Sequence, residues 1–208
     1  MARIHGVQSD QAGARVKLVY WFMRAGMKKL TGREAAHGSG IEPVEIWAHQ
    51  PKMMTGMGKF QQAVRKGNTV EERLKYLVEL KGAQVIGCEF CVDLGSQIAR
   101  NSGLSDAELL ALPRYRQSEL FTAREKLALD YTVAVMRTPV EVADELFARM
   151  REQFTDEQLV EITALLTVVN LDRFNAAFGV GSAGFSEGMV RVPPDRPADH
   201  PSQLARIA

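Results

Sequence analysis

The chain is poor in cysteine, in long apolar runs and in net charge. Among its 208 residues only Cys88 and Cys91 are cysteines. The longest early apolar run, Leu18 to Met23, is far too short to span a bilayer. Twenty-six basic residues stand against 25 acidic ones, so nothing electrostatic draws the chain to nucleic acid or to an anionic membrane. Alternating patterns of the strand type are missing, and so is any clear repeat. The opening Met1-Ala2-Arg3-Ile4-His5 leads into a polar stretch, unlike a signal peptide. The chain therefore reads as cytoplasmic, a reducing compartment where a lone cysteine pair is more often catalytic than a permanent staple.

What is present converges on that pair. Gly87-Cys88-Glu89-Phe90-Cys91-Val92-Asp93 sets two thiols three residues apart, where one helical pattern ends and another begins. Such thiols can exchange two electrons as a dithiol/disulfide couple, and the amides and dipole of a helix mouth favour the reactive thiolate. Other readings compete. The cysteines can be small buried hydrophobes. A structural zinc site needs four ligands, often as two such pairs, and His5, His37, His49 and His200 show no ligand spacing to this one. A thioredoxin-type motif follows a strand in a βαβ pattern, which is missing here. A redox dithiol on an all-helical scaffold leads, and neither a metal nor a cofactor is expected.

The remaining patterns are helical. Apolar spacings of three and four predict helices over Asp10 to Leu30, Val44 to His49, a Met-rich stretch from Pro51 to Lys66, and Val70 to Ile86 with Thr69 as its N-cap. Leu74, Leu77, Val78, Leu80, Ala83 and Val85 make the fourth apolar on several sides, hence central and buried. A short helix follows from Cys91 to Asn101. Capping boxes at Ser105, Thr122 and Thr155 open further helices, including Lys126 to Met136, Ala143 to Gln153 and the most hydrophobic one, Leu159 to Phe178. The expected fold is all-α, a single domain of eight to ten helices. Its final stretch, with Val192-Pro193-Pro194-Asp195-Arg196-Pro197, reads as irregular.

A few polar residues interrupt this pattern. Glu79 lies inside the central helix, with Lys75 four residues before it as the obvious ion-pair partner. Asn170, Asp172, Arg173 and Asn175 interrupt the last long helix. Asn170 and Arg173, a turn apart, fit a buried polar network or a subunit contact better than a catalytic role. Met53, Met54, Met57, Phe60 and Trp47 fit core packing better than a pocket lining.

The segment from Glu72 to Asp93, with its Lys81-Gly82-Ala83 and Gly87-Cys88-Glu89-Phe90-Cys91, resembles the core of the carboxymuconolactone decarboxylase and AhpD-like alkylhydroperoxidase superfamily. Trp47-Ala48-His49-Gln50-Pro51, the stretch from Phe154 to Glu161, and Asn170 to Asn175 are similar as well. The resemblance spans roughly residues 40 to 185. It implies an AhpD-like helical domain over 41–185, preceded by a helical extension over 1–40 and followed by a tail over 186–208. It also implies a homo-oligomer (dimer, trimer or hexamer), a small peroxide substrate and a reducing dithiol partner. Cys91 would attack the peroxide and Cys88 would resolve. The family's relay Glu and His fall here on Tyr76 and Gly95, so both groups are replaced. Glu79 and Asp93 are left to move protons, Tyr76 can offer a hydroxyl, and Asp93 can equally cap the helix.

The resulting expectation is a thiol-dependent peroxidase or disulfide reductase. The alternatives are a non-catalytic or redox-responsive oligomer and a lactone-acid decarboxylase, a reaction in which a cysteine pair has no obvious use.

Overall fold

The computed structural model describes residues 2–186, and the expected tail beyond Ser186 lies outside them. The described residues form ten α-helices and one 3-10 helix, with no strand. In chain order they are α1 (Ala14–Thr31), α2 (Glu42–Trp47), α3 (Pro51–Arg65), α4 (Glu72–Ile86), α5 (Glu89–Asn101), α6 (Asp106–Ala111), the 3-10 helix (Leu112–Gln117), α7 (Ala123–Met136), α8 (Asp144–Gln153), α9 (Asp156–Val169) and α10 (Asp172–Phe178). Among the described residues no helix is long and apolar enough to cross a membrane.

The all-round apolar character of α4 has the expected consequence. It packs against α5, α7 and α9 at the centre of the molecule. One face joins Leu74 and Val78 to Leu127, Met150, Ile162 and Leu166. Another joins Leu77 and Leu80 to Val92, Leu109, Leu112 and Leu129. The described part of the 1–40 stretch is tied to this body. At the end of α1, Gln97 Nε2 of α5 donates to Thr31 O at 2.7 Å and Asn101 Nδ2 to Leu30 O at 3.0 Å.

All three predicted capping boxes form, at Ser105/Glu108, Thr122/Glu125 and Thr155/Gln158. Each contributes about 1 kcal/mol to holding its helix start. Thr69 does not cap α4. The extended backbone runs on through Glu71, while the Thr69 N–H and Oγ1 donate to Glu161 Oε2 at 2.8 and 2.5 Å. Thr69 thus ties the α3–α4 connection to α9. Lys75 is buried and also faces that way, reaching Gly67 O, Glu72 and Glu161 rather than Glu79. A buried ammonium needs such an enclosure of acceptors.

The predicted long helix Leu159 to Phe178 is in fact two helices. After Val169 the ladder tightens into i→i+3 bonds: Leu171 N to Val168 O at 2.9 Å, Arg173 N to Asn170 O at 3.2 Å, and Phe174 N to Leu171 O at 2.9 Å. Arg173 steadies the break, donating to Asn170 Oδ1 and to Met136 O and Thr138 Oγ1 at the end of α7. The chain then continues as α10, which lies on α4 and α5.

Candidate functional site

The site begins at the reversal between α4 and α5. Gly87 adopts φ +79°, a left-handed conformation that costs little only for glycine, and the N–H groups of Gly87 and Cys88 both bond back to Ala83 O. The chain therefore turns within two residues, and Cys88 becomes the N-cap of α5. Its Sγ accepts the Cys91 N–H at 3.2 Å. The cap is thus the first cysteine and not Asp93. The two Cα atoms stand 5.3 Å apart and the sulfurs are joined as a disulfide. The two cysteines differ in access: Cys88 has no exposed surface and packs with Ile46, Phe90, Val180 and Phe185, whereas Cys91 is only partly buried. On reduction the helix mouth favours the thiolate at this end of α5.

The break before α10 brings a second element to the sulfurs. Asn175, 7% exposed, donates from Nδ2 to Cys91 Sγ at 3.5 Å. Its Oδ1 is buried and has no hydrogen-bond partner among the described residues. An Asp172 carboxyl oxygen and the two sulfurs all lie within 4.8 Å of one another. Burial, and after it the charge of Glu79, push the Asp172 carboxyl up to about 8. Near neutrality this acid retains its proton beside the disulfide. The residues were visible in the sequence as interruptions of an apolar run but carried no expected role. Their i,i+3 spacing on one face of a greasy helix was the signal available.

The expected site residues have different surroundings. Glu79 pairs with Arg65 of α3, Nη1 to Oε2 at 2.5 Å, and the same guanidinium lies 5.3 Å from the centre of the Tyr76 ring. Arg65, and not Lys75, is therefore the partner, because Lys75 is held by Glu72 and Glu161. Burial raises the Glu79 carboxyl above its ordinary range, with Arg65 pulling against it.

Asp93 is fully buried and accepts from the N–H groups of Ala183, Phe185 and Ser186 and from Ser186 Oγ at 2.5–3.1 Å. Burial opposes its charge, yet these bonds, Ser186 foremost, hold its carboxyl below the usual range. Asp93 clasps the chain after α10 onto α5. Gly95 brings no functional group, and a Cβ there would sit 3.4 Å from Leu80 Cδ1. Where the sulfurs are bonded to each other they lack the thiolate form that binds metals, so in this state the trio is a disulfide beside a carboxyl.

The carboxymuconolactone decarboxylase family model matches residues 51–134, a stretch that includes both cysteines and ends before α10. The uncharacterized protein YnjA of Escherichia coli is 36% identical over 163 residues, 77% of this chain and 87% of that protein. Among solved structures, the debrominase Bmp8 superimposes with a TM-score of 0.72 at 19% identity, over 86% of this chain and 91% of Bmp8. An alkylhydroperoxidase AhpD core protein, a peroxidase-related protein of Ralstonia eutropha, gives 0.74 at 18% identity, over 92% of this chain and 97% of its own. At these identities the structural likeness is one of fold.

Proposed function

The chain belongs to the carboxymuconolactone decarboxylase family, and we propose that within it this protein is a thiol-dependent peroxidase of the alkylhydroperoxidase type, working through the Cys88–Cys91 couple. One observation carries the reading: two cysteines close into a disulfide at a helix mouth, one fully buried and one only partly buried. The reachable Cys91 thiolate attacks the terminal oxygen of a hydroperoxide, the O–O bond breaks, and Cys91 becomes a sulfenic acid as the alcohol leaves. Cys88 then attacks the Cys91 sulfur, water departs and the disulfide forms. An external dithiol reduces it through a mixed disulfide. Glu79 sets the local field, since its charge acts on Asp172, and Tyr76 shares Arg65 with it. The test is hydroperoxide consumption with dithiothreitol as donor. Wild type should far exceed the Cys88→Ser/Cys91→Ser double variant, and equal rates defeat the reading.

Bmp8, which shares this fold, is a debrominase, and we carry a carbon–halogen bond as a second substrate class for the same couple. There the two thiols give two electrons, the halide leaves and a proton takes its place. Halide release from a bromopyrrole without hydroperoxide consumption would select this reading.

Self-association belongs to the same proposal. On α1, Leu18, Trp21 and Phe22 are 56–63% exposed, an apolar face suited to a second copy of the chain. We place the protein in the cytoplasm, where a dithiol donor can keep the pair cycling. Light scattering reads the oligomer directly, and a monomer at micromolar concentration argues against the assembly.

A further inference from the structure

We infer that α10 supplies the acid side of this site: the Asp172 carboxyl shuttles the proton between Cys91 and the departing alkoxide, while Asn175 Oδ1 accepts the hydroperoxide O–H. This rests on the peroxidase reading and adds to it two residues beyond the family-matched stretch of 51–134. Three observations meet here. A carboxyl oxygen of Asp172 lies within 4.8 Å of both sulfurs. Asn175 is fixed by its Nδ2 bond to the reachable sulfur. Its Oδ1 is buried without a partner among the described residues, an acceptor in want of a donor. A hydroperoxide offers one O–H and two oxygens, and the site presents one acceptor, one acid and one nucleophile.

The steps balance. In the reduced protein the Cys91 thiol gives its proton to the Asp172 carboxylate, leaving thiolate and neutral carboxyl. The thiolate attacks the terminal oxygen, forming S–O as O–O breaks. The alkoxide takes the Asp172 proton and leaves as alcohol, so Cys91 is a sulfenic acid and Asp172 is again a carboxylate. The Cys88 thiol then displaces hydroxide from Cys91, and its proton completes the departing water. A dithiol restores both thiols.

The surroundings suit a carboxyl that trades its proton near neutrality. From α4 it faces Glu79, whose charge opposes ionisation and is itself offset by Arg65 of α3. From α5 it faces the two cysteines, while Asp93 on that helix is committed to the 183–186 segment. On its own helix Arg173 points away to the end of α7. With the pair oxidised, burial and Glu79 raise Asp172 to about 8, and an ordinary thiol titrates in the same region.

The test is single-turnover reduction of cumene hydroperoxide by the pre-reduced full chain across pH. The active form holds one proton between Asp172 and Cys91, so the wild-type rate should rise and then fall with pH. Asp172→Asn should be about 10²- to 10³-fold slower and should lose the alkaline fall. Asp172→Glu should stay within about tenfold of wild type. Asn175→Ala should raise the half-saturating hydroperoxide concentration about tenfold while keeping the bell shape, and an unchanged value removes Asn175 from the assignment. Asp172→Asn within about threefold of wild type, with the alkaline fall retained, overturns the acid role. If Asp172→Asn does not fold, Asp172→Ser carries the test, because an alkaline fall that persists without a carboxyl contradicts the role.

Should wild type consume no hydroperoxide, the peroxidase reading fails, and Asp172 is judged by iodoacetamide alkylation in a Cys88→Ser background. Two titration steps that become one on adding Asp172→Asn uphold the proton sharing, and identical one-step curves reject it.

Discussion

Asp93, on α5, and Asp172, on α10, lie close to the same two cysteines, and they show opposite ways of placing a carboxyl in a protein. Asp93 is fully buried but surrounded by four donors, so it persists as an anion. Asp172 keeps some exposure but has sulfurs for neighbours and Glu79's charge nearby, so its proton is held up to about 8. Burial alone does not decide ionisation. The count and direction of donors does. The Asp93 region is structural because all its bonding capacity is used, whereas the Asp172 region retains a transferable proton and an acceptor without a partner among the described residues, which suits chemistry.

Substitution separates the two aspartates. The largest effect is expected at the reachable sulfur itself. Cys91→Ser should abolish hydroperoxide consumption, a loss of more than about 10³-fold, because no other thiolate stands at the surface of the site. Cys88→Ser should instead leave one turnover that stops at sulfenic acid, trapped by dimedone and weighed by mass spectrometry.

Next comes Asp93→Ala, which leaves the 183–186 donors facing a buried void. A loss of about 3 kcal/mol in urea unfolding is expected. Turnover per folded molecule should change far less than in Asp172→Asn. Equal loss of turnover in both would erase the distinction between the two aspartates.

The pH dependence of stability should also differ in sign. The folded-state value of Asp172 is raised, so the stability it contributes is present below the ordinary 3.8 and is lost as pH rises through about 8. Thermal melts should therefore show Asp172→Asn gaining on wild type as pH climbs through that window. Asp93 is lowered, so its contribution is present above its ordinary value and is lost as pH falls through the lower folded one. For Asp93→Ala the deficit against wild type should shrink only in strong acid. The smallest effect belongs to a site remote from both: Thr122→Ala, at one capping box, should cost about 1 kcal/mol and leave turnover unchanged.

Local chemistry made much of this legible in sequence. A cap needs only its own four residues, and Ser105, Thr122 and Thr155 behave as their neighbours dictate. The burial of α4 follows from apolar residues on every side, and the closure of the cysteine pair from helical spacing. What could not be read depends on tertiary direction. Lys75 and Glu79 have ideal spacing for each other, yet each finds a better partner on another helix. Asp93 is two residues from Cys91 but turns toward a segment some 90 residues later. The break at Asn170–Leu171 carries neither glycine nor proline, and the polar interruptions around it, Asn170, Asp172, Arg173 and Asn175, do not by themselves end a helix. That hidden break is what aims Asp172 and Asn175 at the sulfurs, so the part of the site hardest to foresee is the part contributed by α10.

In the proposed reaction Cys88 and Cys91 act as one two-electron couple toward a hydroperoxide. Pre-reduced protein, freed of reductant and given one equivalent of cumene hydroperoxide, should lose both thiols as one equivalent of alcohol appears, with peptide mapping locating a Cys88–Cys91 bridge. Hydroperoxide that persists while both thiols remain titratable would contradict the account.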